Sequence, residues 1–386
     1  MAIYQQDSSP DEVESREELA ARIADGGLAG LTVQGLRLDT GPAVDLSGVD
    51  VTDTLFVGCR FTGTEVAIDL VRRGAHVVPE FPEAPFPTQP SRLYQPDDLV
   101  AGFADDGFAS MYDTRVYEHF LAHGGVHADV RTALVQRLHD AGIDDALADL
   151  LDDWAGQARP GPVVGVMGGH AEHRGSAGYL LAAQLGRALA AAGALVVTGG
   201  GPGVMEAANL GSYLAGRPES ELTDAVDTLA TAPDFTDHDR YTRVALQVRH
   251  RFPAEGRAGG LAVPTWLYGH EPANLFAGGI AKYFSNAVRE DTILSLCRGG
   301  VVFAPGRAGT VQEVFQAATK LFYRVDGATG PLVFLDRTFW TDVLPVRQLL
   351  GPLLADTPAG DLTDTVHLID DVAEAVAILT GPDQSL

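Results

Sequence analysis

The sequence predicts an α/β protein: a Rossmann-like parallel sheet with helices on both faces, preceded by a separate, smaller α+β domain. Three observations carry this reading. From residue 162 onward, short apolar runs alternate with apolar-periodic helical segments, the order of a parallel sheet with right-handed crossovers. Glycine clusters close several of those runs, as GG at 168–169, GGG at 199–201 and PGRAG at 305–309. The chain has 386 residues, 46% of them apolar, which exceeds one average domain and suffices for two cores.

The elements follow in order. A short helix is expected around Glu12–Ala24, then strands at LTVQGLRL (31–38), AVDLSGV (43–49) and TLFVGCRF (54–61), separated by Gly and Asp. The proline-rich stretch PEFPEAPFPTQP leads into helices over 97–155, and QARPGP (157–162) marks the boundary between a first domain, 1–157, of unknown role and a second, 158–386. The second domain opens with the strand PVVGVMGG, the helix AGYLLAAQLGRALAAAG, the strand ALVVTGGG and a helix with Pro202 in its first turn. A polar, helical insertion spans 217–258. The strand GLAVPTW, a helix ending near Arg289, and the strands VVFAP, PLVFLD and TVHLI complete the sheet, with helices from about Trp340 and over DVAEAVAIL.

Composition narrows the function. The net charge of −25 argues against binding a nucleic-acid polymer, which needs a cationic face. Two cysteines, Cys59 and Cys297, supply neither a disulfide framework nor a zinc set and fit a reducing cytoplasm. The opening residues are polar and acidic, unlike a signal or transit peptide, and no apolar stretch reaches 18 residues, so no membrane span is expected.

Glycine turns at the C-terminal ends of strands lie where open α/β sheets bind ligands. Gly309 and Thr310 open a helix, so their N–H groups and the helix dipole form a phosphate cradle, and GGGPG (199–203) offers a second. A single such turn reads as an ordinary tight turn; three in one domain favour a ligand. A dinucleotide fingerprint is absent, since Gly201 and Gly203 are followed by Glu206, and no P-loop lysine lies nearby. His170 and His173 have metal-like spacing without a third ligand and read as a loop pair. Glu313, three residues past Thr310, is expected in the first helical turn and ionised at neutral pH. A carboxylate beside a phosphate cradle suits a reaction that develops positive charge, as at a ribosyl centre; alternatively it stabilises its helix.

At this point the residues resemble a known family. PGRAGTVQE (305–313) is similar to the PGGxGTxxE motif of the LOG ("lonely guy") phosphoribohydrolases, and GGGPGVMEAAN resembles that family's first glycine-rich turn. EPAN (271–274) followed by Arg289, then PLVFLDRTFW and DDVAEAVAIL, extend the resemblance over roughly 160–382. It implies cleavage of the N-glycosidic bond of nucleoside 5′-monophosphates to free base and ribose 5-phosphate, with no cofactor or metal, in a cytoplasmic homodimer or larger homo-oligomer. By the same resemblance, Glu313 and Arg289 are catalytic and Gly309 and Thr310 hold the phosphate, with Gly306 and Arg307 of the same turn in the substrate site. Gly168, Gly169, Ser176, Gly199, Gly200, Gly201, Gly203, Met205, Glu271, Asn274 and Thr319 contact the rest of the substrate. The family's older label, lysine decarboxylase, does not suit a chain whose only lysines are Lys282 and Lys320, neither in a Schiff-base context.

Two departures stand out. Arg307 replaces the motif's second glycine, which strains the backbone if that position needs positive φ. The lysine that follows the family's arginine is here Glu290. Arg307 and the 217–258 insertion favour a second reading, a nucleotide sensor of the same fold that binds without hydrolysis. A third, with the glycines as turns only, makes the chain a scaffold.

Overall fold

The computed structural model describes residues 11–254, 258–327 and 329–381; residues 1–10, and 255–257 of the insertion, lie outside them. The described chain divides into two compact units, one of residues 11–93 and 118–155, the other of 94–117 and 156–381. Residues 94–117, which the sequence reading places in the first domain, therefore belong with the second.

In the first unit, β1 (Glu12–Val13), β2 (Thr32–Gln34), β3 (Leu55–Cys59) and β4 (His76–Pro79) form a four-stranded sheet in sequential order, parallel throughout. The unit is thus built from parallel crossovers, where separated α+β layers were expected. Helices 16–24 and 64–72 form two of the returns. Segment 43–49, expected as a strand, is irregular. The Asp45 carboxylate accepts from the Ser47 amide at 2.9 Å, a local bond that competes with strand pairing. Val33, Phe56, Leu19 and Leu70 form the centre of this core.

The second unit holds β5 (Val163–Met167), β6 (Leu195–Thr198), β7 (Leu261–Ala262), β8 (Gly279–Ile280), β9 (Val301–Phe303), β10 (Leu332–Leu335) and β11 (Val366–Ile369). All pair in parallel, in the order β11-β10-β9-β5-β6-β7-β8. The strand order reverses between β5 and β9, so the loops leaving these neighbours diverge and open a crevice above the sheet. Helices 177–191, 204–213 and 372–380 pack together on one face, and helices 286–296, 308–323 and 346–354 on the other. The 217–258 insertion is helical as expected, at 219–229 and 238–251.

One buried network ties the insertion to the sheet. Glu206 receives Arg174 Nε at 2.8 Å and Nη2 at 2.5 Å, and the hydroxyls of Tyr179 at 2.9 Å and Tyr241 at 2.8 Å. These four donors satisfy the buried carboxylate, and its bidentate arginine fixes the loop after β5. Among the described residues, no helix is long and apolar enough to cross a membrane.

Helices 177–191 and 204–213 approach so closely that a methyl on Gly211 would overlap the carbonyl oxygen of Ala183, and one on Gly186 that of Ala208. Gly216, exposed after helix 204–213, faces open space. Gly211→Ala is therefore expected to destabilise by about 1–3 kcal/mol through overpacking. Gly216→Ala should stabilise by about 0.4–1 kcal/mol through reduced entropy of the unfolded chain. Denaturant melts of both variants check this; equal shifts of one sign would contradict the close helix crossing.

Candidate functional site

Strands β5, β6, β7 and β9 end at one cavity of about 390 Å³. The backbone builds its floor. Gly169 N–H donates to Pro305 O at 3.0 Å, joining the loops that leave β5 and β9, and Val204 N–H donates to Gly169 O at 3.2 Å. Gly203 supports this stacking with φ +71°; any Cβ there would strike Gly169 O.

Helix 308–323 begins at the cavity with no side-chain cap. Its first helical hydrogen bond runs from Val311 N–H to Arg307 O, so the amides of Ala308, Gly309 and Thr310 precede the ladder. Gly309 and Thr310 line the cavity, and a Cβ on Gly309 would meet nothing within 4 Å. Arg307 sits at the cap with φ −117°, an ordinary conformation, so the strain expected of an arginine in this place does not arise. Its side chain is exposed at the cavity edge.

Arg289 lies near the start of helix 286–296, which Ser285 caps, and not near the helix's C-terminal end as the sequence suggests. Its guanidinium is buried and donates three ways: Nε to Val263 O at 2.6 Å, Nη2 to Gly199 O at 3.1 Å, and Nη1 to Glu290 Oε1 at 2.6 Å. A Cβ on Gly199 would collide with that guanidinium, which explains the glycine. Arg289 thus clamps the ends of β6 and β7. The other oxygen of its partner, Glu290 Oε2, is buried without a hydrogen-bond partner.

Glu313 is 7% exposed. It stands in the second turn of helix 308–323, past the first-turn amides where the dipole is strongest. Burial pushes its carboxyl up to about 7, helped by the nearby Glu290 charge and opposed by Arg289. The expectation of a fully ionised Glu313 is thus corrected: desolvation outweighs the dipole, and near neutrality the group is poised between its two forms.

Gly168, Gly169, Gly199, Gly200, Gly201, Met205, Glu271, Asn274, Arg307, Gly309 and Thr310 line the same cavity as Arg289 and Glu313. Four expected contacts fall elsewhere. Ser176 caps helix 177–191 and donates to Glu172. Thr319 is exposed and bonds Phe315 O at 2.7 Å. Gly203 and Gly306 shape the turns; a Cβ on Gly306 would fill the place of the Thr310 hydroxyl. Asn274 acts through its neighbours, donating to Asn209 Oδ1 at 2.9 Å and accepting from Phe276 N–H at 3.1 Å. His170 meets Glu271 across the cavity at 3.0 Å and belongs to no three-ligand cluster among the described residues.

Lys282 lines the cavity unforeseen. It is buried against Asp113 at 2.6 Å, and Trp266 Nε1–H donates to the same Asp113 oxygen at 2.9 Å. The rarity of lysine in this chain was the available signal.

Comparison with known proteins gives a partial match. The model of the SLOG cluster4 family matches residues 161–217, less than half of the chain. That segment holds β5, β6 and their following helices, and so the glycine turns at 168–169 and 199–203; the match supports a SLOG/LOG-like relationship there. No curated protein matches. Among solved structures, the molybdenum cofactor binding protein from the phototrophic bacterium Rippkaea orientalis is 19% identical with TM-score 0.32, covering 57% of this chain and 95% of its own. The molybdenum cofactor carrier protein from Chlamydomonas reinhardtii is likewise 19% identical with TM-score 0.32, covering 56% and 94%.

The Glu313 environment makes stability pH-dependent. Between the ordinary value of 4.5 and about 7 the folded chain keeps a proton that the unfolded chain has released. Stability attributable to this group therefore falls as pH rises through that window. Glu313→Gln should remove this part of the slope, so its melting temperature relative to wild type rises between pH 5 and pH 8. Parallel melting curves for the two proteins would show instead that Glu313 is well solvated.

Proposed function

We propose that this cavity binds a nucleoside 5′-monophosphate and hydrolyses its N-glycosidic bond, releasing free base and ribose 5-phosphate. One observation carries the reading: an uncapped helix N-terminus and a buried carboxylate, Glu313, open onto the same cavity. The amides of Ala308, Gly309 and Thr310 suit a phosphate, and the dipole of helix 308–323 adds attraction. Phosphate binding there orients the ribose, so that binding energy is used at the reacting carbon. The ionised form of Glu313 faces the ribosyl carbon as positive charge develops and aligns the attacking water. Arg289 holds the walls after β6 and β7 in place around the departing base.

The role of Arg289 favours a second reading. Its three hydrogen bonds to the protein leave its guanidinium acting as a clamp, which a nucleotide sensor needs as much as a hydrolase does.

Product analysis separates the two. Incubation with AMP, GMP, CMP, UMP and an isopentenyl-adenine nucleotide should release base and ribose 5-phosphate from at least one of them. Glu313→Gln should lower turnover by at least about 100-fold with little change in nucleotide affinity. Wild-type kcat/KM should rise through about pH 7 as Glu313 ionises. Tight binding without base release would establish the sensor; no binding of any nucleotide would remove both.

A further inference from the structure

Glu290 occupies the place where the family pattern has a lysine, and the mechanism above gives it no contact with substrate. It lines the cavity, is 7% exposed, and has one carboxylate oxygen on Arg289 Nη1 at 2.6 Å. The other oxygen, Oε2, is buried and has no partner. Leaving a buried charged acceptor unpaired is unfavourable, and native structures keep such groups where a ligand or an ordered water completes them. Glu290 itself lines the cavity, and the last torsion of a glutamate is soft, so the carboxylate can adjust to a donor there.

We infer that Glu290 reads the base: its free oxygen accepts a hydrogen bond from an amino group on the ring, so the chain takes amino-bearing nucleobases. The inference rests on the nucleotide reading of the cavity. Its logic is asymmetric. A site built with an acceptor accommodates a ring that donates and rejects one that presents only an acceptor or nothing, because the carboxylate oxygen is then desolvated without compensation. A lysine in this position would impose the opposite preference, since an ammonium only donates.

The geometry also dictates what Glu290→Gln does. Arg289 Nη1 holds the amide oxygen on its own side, so the amide NH2 takes the position of Oε2. The variant keeps the clamp and the side-chain shape but converts an acceptor into a donor.

The test is calorimetric titration in a Glu313→Gln background, which silences turnover, with AMP and with purine riboside 5′-monophosphate. The second ligand has the same ring without the amino group, and its N1 only accepts. With Glu290 present, AMP should bind at least about 10-fold more tightly. With Glu290→Gln added, that preference should vanish or reverse, while melting temperature stays close to that of the parent. If the variant does not fold, Glu290→Ala should likewise lose the preference. An unchanged AMP preference in either variant overturns the assignment of Glu290 and leaves the nucleotide reading standing. Equal affinity for the two ligands in the parent overturns it as well. Absence of binding by both ligands in every protein overturns the nucleotide reading, and this inference with it.

Discussion

A single backbone hydrogen bond, from Gly169 N–H to Pro305 O at 3.0 Å, organises the site. It joins the loops leaving β5 and β9, the two strands between which the sheet order reverses. With these loops joined, the N-terminus of helix 308–323 lies at the cavity, and Gly169 O can receive the amide of Val204, which sets the start of helix 204–213. The glycines at these turns answer to this stacking. At Gly203 a left-handed backbone and close contact with Gly169 apply together, so no other residue fits without displacing the floor of the site.

Around that floor, burial competes with charge. Two carboxylates, Glu290 and Glu313, share one guanidinium, Arg289, in a space nearly closed to water. Arg289 also donates to two backbone carbonyls, and its attraction does not offset the burial of Glu313. Glu290 keeps its bond to Arg289 and leaves one oxygen unpaired; Glu313 is left to desolvation and titrates near neutrality. An arrangement tuned only for stability would not leave these groups unresolved. A site that binds a polar ligand commonly does, because the ligand completes the polar contacts that the fold leaves open.

Much of the fold was legible in the sequence because it rests on local chemistry. The alternation of apolar strands and periodic helices, and the glycines after β5, β6 and β9, each reflect a local requirement visible in a few residues. The shortfalls have a common origin in contacts distant along the chain. Lys282 and Asp113 pair across 169 residues, and no spacing rule connects them. The ionisation of Glu313 depends on burial by other elements, which outweighs the helix dipole that a sequence shows. Arg307 seemed strained only by analogy with a glycine motif, whereas its own φ of −117° is ordinary. In the first unit, short strands separated by Gly and Asp did not reveal that all four run parallel. Segment 43–49 has the apolar pattern of a strand, but its Asp–Ser turn takes the backbone out of the sheet.

The central claim is that the open end of helix 308–323 seats a phosphate. Calorimetric titration of the Glu313→Gln protein with a nucleoside 5′-monophosphate and with its parent nucleoside tests it most directly. Charge-assisted contacts of about 1.5–3 kcal/mol each predict at least about 100-fold tighter binding of the nucleotide, weakened by competing inorganic phosphate. Equal affinity for nucleotide and nucleoside, indifferent to phosphate, would contradict the account.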